Sequence, residues 1–563
     1  MTLSASAALA RLVALRTEFG APATATKHEL LAHLAAKALP TAAAVQQLHD
    51  LLCFWHAHPD DAALRRRVAA MLAGFADRPD LQRHREALAD TGIAGTDVHY
   101  EFFMETARWL AARWPERLRI DWDAYGDGAS LERILHLLAL YAETPGLDEY
   151  AFPVREWLER MKGPRETDAA FVVRRLGEVP MEAAAREYFY EHLGLALVLA
   201  GGAGGPCRTG ACLAGPKLHP QAGPLRRGRP DLRRELAIPP RRVHGVGPAR
   251  GRAVIELARA AMVARNRDLD AFAYGSPHDV TLIDDGDGLQ FAVIGTVPAR
   301  RLLFEAVSGY LILQNGVPVG YGVISALLGS VEMAYNVFPE FRGAAAGHIY
   351  ARLLAACRHL YGADTFVVFP YQLGGDGNEE GLASGAWWFY QKLGFRARDP
   401  EVLARMRQEL RRMKRDPRHR TRLPVLAEMA QANVYLDLKT PRDDVIGALP
   451  LATVGLRVTD GLARRFGAER AEAEATCARE AAALLGVSAR RGWSAGEQLA
   501  WRRWSPLVLT LKGAERWSAA EKAALVDVIR AKGGRREAGF VRLFDNHRRL
   551  RRAVVRLART EAG

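Results

Sequence analysis

Cysteine is scarce in this sequence, and long apolar runs are missing from it. The 563 residues include five cysteines, an odd number at scattered positions, so a disulfide framework is not expected. No apolar stretch reaches the eighteen or so residues of a membrane-spanning helix. The first residues lack a basic start followed by an uninterrupted apolar stretch. We therefore expect a cytoplasmic protein with reduced thiols and no membrane partner.

Positive charge is distributed unevenly along the chain. The formal net charge is +14, and residues 401–563 contain 34 Lys and Arg against 19 Asp and Glu, which is +15 for that segment alone. Such a basic segment is typical of proteins that contact nucleic acid, an acidic protein or a membrane surface. A general preference for arginine, with the side chains merely solvated, also explains the excess. Nucleic acid is thus a partner that the composition permits but does not require.

The pattern of apolar residues divides the chain into four segments of an α+β protein. Residues 1–199 show mostly helical spacing and predict an all-helical N-terminal domain. Residues 200–247 are rich in Gly, Pro and basic residues without an apolar period, which predicts a linker. Residues 248–400 predict a mixed, mostly antiparallel sheet with flanking helices. Residues 401–563 predict a basic, helical C-terminal domain.

The sheet of the third segment begins as a meander of strands. Asn315-Gly316 separates two strand-like runs, and Asn-Gly is a strong signal for a tight hairpin turn. A short apolar run at 365–369, TFVVF, predicts a buried strand after the next helix. The helix itself follows the stretch NVFPEFRGAAAGHIYARLL, residues 336–354, in which a strand changes into a run of tiny residues.

That run of tiny residues predicts an anion site. The first N–H groups of a helix have no internal acceptor and carry partial positive charge, and phosphate binds well to such a position. Arg342 adds a fixed positive charge, and residues 343–347 keep the side chains short. Neither a P-loop nor a dinucleotide fingerprint is present. Tight packing of the helix is the alternative explanation for the small residues.

The run Val337 to Gly347 and the later run SGAWWFYQKLGFRAR together resemble the GNAT superfamily of acyl-CoA-dependent N-acyltransferases, over about residues 248–400. The resemblance implies an acyl-CoA donor, acetyl-CoA being the simplest, an unidentified amine acceptor and no metal. It also implies that the strand ending at Val337 separates from the strand TFVVF, so that exposed main chain can bind the pantetheine. The residues it assigns to the donor are Val337, Phe338, Arg342, Gly343, Ala344, Ala345, Ala346, Gly347 and His348.

Three side chains are candidates for the chemistry. The resemblance assigns Tyr390, in the Y-x-x-x-G-F motif, as the acid that protonates the departing thiolate. Strand alternation puts Glu332 and Asn336 on one face, where Glu332 is the candidate base and Asn336 is placed to hold a water. Ion pairing of Glu332 with Arg342 or another basic residue is the alternative role for this carboxylate.

Two departures from the family pattern leave a second function open. Ala345 replaces a glycine of the turn, and Ala383 replaces an asparagine seven residues before the tyrosine. These differences permit a catalytically weak GNAT-like scaffold or binding protein, including one that contacts nucleic acid through its basic C-terminal helices.

Other motifs give weaker evidence of a functional site. His56 to Asp61 does not have metal-ligand spacing between its predicted helices, and Asp60 or Asp61 is better explained as a helix cap. The basic runs at 405–422 and 546–560 can bind phosphates, with the tryptophans between them in sequence as stacking groups or, as we expect, as core residues.

Overall fold

A computed structural model of the chain describes residues 3–126, 128–215, 217–226, 228–343 and 345–559. Its largest element is a ten-stranded sheet with helices around it. In the described part of the chain, no helix combines the length and the apolar character that crossing a bilayer requires.

The chain begins with a helical layer. Three of its five helices start at a side-chain cap, which is Ser4, Thr41 or Asp61. The carboxyl of Asp61, one of the two predicted caps, accepts a hydrogen bond of 2.7 Å from Leu64 N–H. Apolar residues of this layer share one core with the large sheet and the C-terminal helices. The layer comprises α1 (Ala5–Ala14), α2 (Ala21–Ala35), α3 (Ala42–Ala57), α4 (Ala62–Ala73) and α5 (Pro79–Arg83).

Residues 98–199 form a separate unit with its own apolar core. The prediction of an all-helical domain over residues 1–199 is wrong here, because a three-stranded antiparallel sheet of order β1-β3-β2 holds the unit together. Each strand has three residues, which is too short for an alternating pattern to stand out. The elements are β1 (Val98–Tyr100), α6 (Met104–Arg113), β2 (Leu118–Ile120), α7 (Trp122–Tyr125), α8 (Ala129–Glu132), α9 (Leu135–Leu138), α10 (Thr144–Glu149), α11 (Val154–Met161), α12 (Asp168–Glu178), α13 (Ala183–Leu193) and β3 (Leu197–Leu199).

The segment 200–247 is a packed strap and not a free linker. Leu213 and Leu225 are buried in the main core, and the strap contains α14 (Leu232–Ala237) and β4 (Arg242–Gly245). Strand β4 pairs with the first long strand of the large sheet. The predicted linker is therefore wrong: its leucines have no period, yet Leu213, Leu225, Leu232 and Leu236 are all buried in the main core.

The next elements build most of the large sheet. Asn315 and Gly316 both have positive φ, 50° and 81°, and join two antiparallel strands, as the Asn-Gly pair predicts. The elements are α15 (Pro248–Val263), α16 (Asp270–Ala273), β5 (Gly275–Gly286), β6 (Leu289–Thr296), β7 (Ala306–Gln314), β8 (Val317–Leu327), β9 (Ser330–Met333), β10 (Asn336–Val337), α17 (Ala346–Tyr361), β11 (Thr365–Val368), α18 (Pro370–Leu373), α19 (Glu379–Ser384), α20 (Ala386–Leu393) and β12 (Arg396–Ala397).

The C-terminal segment completes the sheet before it becomes helical. Strand β13 (Val434–Asp437) inserts between β11 and β12, so the prediction of a purely helical domain from residue 401 is wrong. Four residues within a basic, helical context give no separate signal. The helices are α21 (Pro400–Arg415), α22 (Leu423–Met429), α23 (Ala452–Phe466), α24 (Arg470–Leu485), α25 (Ala495–Thr510), α26 (Ala519–Gly533), α27 (Ala538–Asn546) and α28 (Arg548–Arg559).

The sheet is mixed and mostly antiparallel, which confirms that part of the predicted fold class. Its strand order is β12-β13-β11-β9-β8-β7-β6-β5-β4, and the short strand β10 also pairs with β8. Strands β9 and β11 form a parallel pair. A buried charge network attaches the C-terminal helices to the sheet: Arg301 lies 3.1 Å from Asp279 and donates a hydrogen bond of 2.8 Å to the Lys532 carbonyl.

Candidate functional site where two parallel strands separate

The parallel strands of the sheet pair over only three residues. Ser330 in β9 lies opposite Thr365 in β11, and the last pair is Glu332 with Val367. Farther along, β10 stays on β8, with Asn336 opposite Tyr321. Strand β11 ends one residue beyond that last pair, at Val368, and its opposite edge pairs with β13 along its whole length. The sheet therefore opens between β10 and β11, at the end of the strand TFVVF.

One edge of this opening consists of main chain that pairs with no strand among the described residues. Ala334 N–H donates to the carbonyl of Val323 and Phe338 N–H to that of Val319, each at 3.0 Å, so these residues bond to β8. Alternate residues of an antiparallel ladder direct their polar groups to opposite sides. The N–H groups of Tyr335 and Val337 therefore face the opening that β11 has left.

Helix α17 begins just after this edge. Gly343 has φ of 83°, Ala345 has φ of 51°, and Ala344 between them lies outside the described residues. The first intrahelical bond runs from Ile349 N–H to the Ala345 carbonyl. Because the N-cap residue is an alanine, no side chain of a described residue caps the first turn. The amides of Ala346 and of the next two residues are thus available to an anion.

The strap covers one side of this first turn. A Cβ atom added to Gly347 would lie 3.3 Å from Cδ of Pro230. The His348 ring lies 3.2 Å from the guanidinium of Arg226 and 3.6 Å from the carboxyl of Glu235. Close packing therefore accounts for Gly347, and contacts with the strap occupy the His348 side chain.

The guanidinium of Arg342 forms an ion pair with Glu380, and its Nε lies 3.4 Å from the Val337 carbonyl oxygen. Arg267 also contacts Glu380, at 3.4 Å. In this arrangement Arg342 is directed to the edge strand and to α19, and its charge is balanced by a carboxylate. The alternative role for Glu332, pairing with Arg342, is wrong.

Glu332 occupies the point where the opening starts. Its carboxyl forms no ion pair or side-chain hydrogen bond with a residue that the structure describes, and burial raises its pKa to about 7. Tyr390 is 3% exposed and packs edge-on against Tyr350, with ring centroids 5.5 Å apart. Burial and then the negative charge of Glu332 raise the pKa of Tyr390. The two candidates for proton transfer therefore interact electrostatically.

Asn336 and Val337 line a cavity of about 200 Å³ beside the edge strand. Phe338 forms its apolar wall, because it is 2% exposed, lies against Tyr321 and carries Arg265 over its ring at 3.7 Å. Phe338, which the resemblance assigns to donor binding, is thus a core residue.

A second wall of this cavity is not predicted from the sequence. Arg208 of the strap lies 2.5 Å from Asp50 of α3 and 3.6 Å from Glu340, and all three residues line the cavity. Burial is the main influence on the pKa of Glu340, but Arg265 and Arg208 outweigh it and lower the value. No local signal marks this wall, because Asp50, Arg208 and Glu340 come from three different predicted segments of the chain.

No family model matches this chain. Neither the curated proteins nor the solved structures contain a match to it. In the described ranges, no group of three or more His, Cys, Asp or Glu side chains is arranged to hold a metal ion.

Proposed function

We propose that this chain is an N-acyltransferase that moves an acyl group, acetyl being the simplest, from coenzyme A to an amine. The observation that carries the proposal is the opening between β10 and β11, with the half-buried carboxyl of Glu332 where it begins. The motif resemblance from Val337 to Gly347 and at Tyr390 supports the same reading.

The donor has two anchor points in this scheme. Its diphosphate accepts hydrogen bonds from the uncapped amides of Ala346, Gly347 and His348, where the helix dipole favours negative charge. Its pantetheine arm carries amide groups, and these bond to the free edge of Val337 much as an added strand does. Both contacts use main chain, so the alanine at position 345 does not remove a donor group.

The reaction is a direct attack on the thioester. The amine nitrogen forms a bond to the carbonyl carbon, the carbon–sulfur bond breaks, and the acylated amine and free coenzyme A result. Glu332 takes the proton that the amine loses, and a pKa of about 7 suits a base that works near neutral pH. Tyr390 keeps its proton at that pH because its pKa is raised, and it donates to the departing thiolate.

The cavity beside Asn336 is the proposed entry for the acceptor. Its lining includes Val337 of the free edge and also Asp50 and Arg208. The N-terminal helical layer thereby forms part of the acceptor wall, which gives that layer a role in selecting the amine.

Donor binding tests the proposal at α17. In isothermal titration with acetyl-CoA, we expect Ala346→Glu to weaken binding at least tenfold, because a carboxylate at the first helical position repels the diphosphate. The same carboxylate interacts favourably with the helix dipole, so the variant should remain folded. Ala346→Gln has a side chain of matching size without charge and serves as the control.

A free-thiol assay with a panel of amines then tests turnover. Acetyl-CoA binding that both variants leave unchanged would reject the donor site. Donor binding without thiol release for any amine and any acyl chain length would reject the enzyme and leave a binding protein.

A further inference from the structure

The last helix, α28, has an unusual distribution of charge. Its twelve residues, RRLRRAVVRLAR, include six arginines and no carboxylate. Three of the arginines form ion pairs with acidic residues of neighbouring segments: Arg549 with Glu521, Arg551 with Asp444, and Arg559 with Asp443. Arg548 and Arg552 are exposed and form no ion pair with any residue in the described ranges.

Two hollows flank this helix, and arginine lines both. One has a volume of about 230 Å³ and collects four cationic side chains, Arg457, Arg464, Lys512 and Arg556, with no carboxylate of a described residue in its lining. The other, of about 550 Å³, is lined by five arginines of α28 with Val555 and Asp444. Arg556 lines both hollows. Positive side chains that converge in this way create a potential that attracts a polyanion.

The buried side of α28 excludes one kind of polyanionic surface. Leu550, Val554, Leu557 and Ala558 pack into the protein core. A helix that lies on a lipid surface needs a free apolar face to insert between headgroups. The apolar face of α28 is buried in the protein core, so this helix cannot bind a membrane surface by inserting that face.

The tryptophans of this segment favour one form of nucleic acid. Trp501 and Trp504 are at most 1% exposed, and Trp517 is 7% exposed, which confirms these three as core residues. Trp493 is half-buried and packs edge-on against Trp501, with ring centroids 5.5 Å apart. Recognition of single strands depends on exposed aromatic rings that stack on bases. Buried rings cannot serve that purpose, whereas guanidinium groups alone suffice for a duplex backbone.

We propose that α28 and its two flanking hollows bind the phosphate backbone of double-stranded nucleic acid without reading its sequence. Twelve helical residues span about 18 Å, which matches about five base-pair rises of 3.4 Å. Contacts to about five phosphates give a log–log salt slope of about −4.5. This binding uses a different surface from the opening between β10 and β11 and does not depend on the acyltransferase proposal.

Fluorescence anisotropy with a labelled 20-base-pair DNA duplex, titrated with the full chain between 50 and 200 mM salt, tests this inference. We expect Arg548→Glu/Arg552→Glu to weaken binding at least tenfold and to reduce the salt slope by about 2, since each lost phosphate contact removes about one unit. Lys512→Glu, a single change in the smaller hollow, should weaken binding severalfold even if the double variant fails to fold.

Arg411→Glu/Arg415→Glu on α21 is the matched control, because it changes two exposed arginines and the net charge equally. We expect it to retain most of the affinity. Three outcomes would overturn the inference: no duplex binding at 50 mM salt, equal losses in the α28 and α21 variants, or binding to vesicles containing phosphatidylserine without binding to the duplex.

Discussion

Glu332 lies opposite Val367 at the last position where β9 and β11 pair. This relationship places a carboxyl group at the point where the sheet opens, with β8 on one side and the end of β11 on the other. A carboxylate there is partly removed from water, which raises its pKa to about 7.

Replacement of Glu332 by Gln should abolish most of the proposed turnover. Loss of a general base lowers rates by about 10²- to 10⁴-fold, while acetyl-CoA affinity should stay the same because the amide sites are untouched. In the wild type, kcat/KM should rise with pH through about 7 as the carboxyl ionises, and this limb should disappear in the variant. Glu379→Gln, an exposed carboxylate of α19, is the control; an equal loss there would contradict the assignment.

The same substitution should change stability in a pH-dependent way. Burial raises the pKa of Glu332 from its ordinary 4.5 to about 7, so its contribution to stability is present below pH 4.5 and is lost as pH rises through 7. Gln cannot ionise. The unfolding free energy of Glu332→Gln should therefore rise relative to that of the wild type by at most about 1.4 kcal/mol per pH unit in this window. Urea denaturation at pH 5, 6, 7 and 8 measures the difference, and a constant difference would mean an ordinary pKa.

Two neighbouring tyrosines separate a role in chemistry from a role in packing. Tyr390→Phe keeps the ring that packs on Tyr350 and removes the hydroxyl, so thiol release should slow by about 10²-fold with donor affinity intact. Tyr350→Phe removes a buried hydroxyl that has no hydrogen-bond partner in the described part of the chain. It should leave turnover unchanged and raise the unfolding free energy by about 1 kcal/mol. Slower thiol release in Tyr350→Phe would show that the ring cluster as a whole sets the rate of turnover.

The buried pair Lys532–Glu537 should be a large contributor to stability at the C-terminal helices. Both side chains are nearly inaccessible, and Lys532 also donates to the Glu305 carbonyl at 2.8 Å. Lys532→Met leaves the carboxylate buried without its partner, so we expect a loss of about 3 kcal/mol in denaturant unfolding. Lys532→Met/Glu537→Leu should recover part of that loss, and an even larger loss in the double variant would contradict this account.

The sequence predicts those features of the fold that depend on neighbouring residues. Asn315-Gly316 forms its turn because both positions need positive φ. The strand at 365–368 and the start of α17 at Ala346 also follow from local patterns. Strand β13 was missed because its four residues gain their stability from pairing with β11, which lies 66 residues earlier in the chain by the register of Val368 with Val434.

The candidate site also combines features that neighbouring residues determine with features that distant contacts determine. Local sequence marks the uncapped turn before α17 and the alternation that places Glu332. Contacts between distant segments decide the rest: the pairing of Arg342 with Glu380 and the approach of Pro230 to Gly347 join positions far apart in the chain. A pattern of neighbouring residues carries no information about such pairs.

Insertion of β13 between β11 and β12 fixes where a shorter piece of this protein could end. A fragment that stops at residue 400 would lack β13 and leave the N–H and C=O groups along one side of β11 without partners. Bare edges of this kind recruit strands from other molecules. Such a fragment would tend to precipitate, whereas one that continues past Asp437 keeps that margin of the sheet covered.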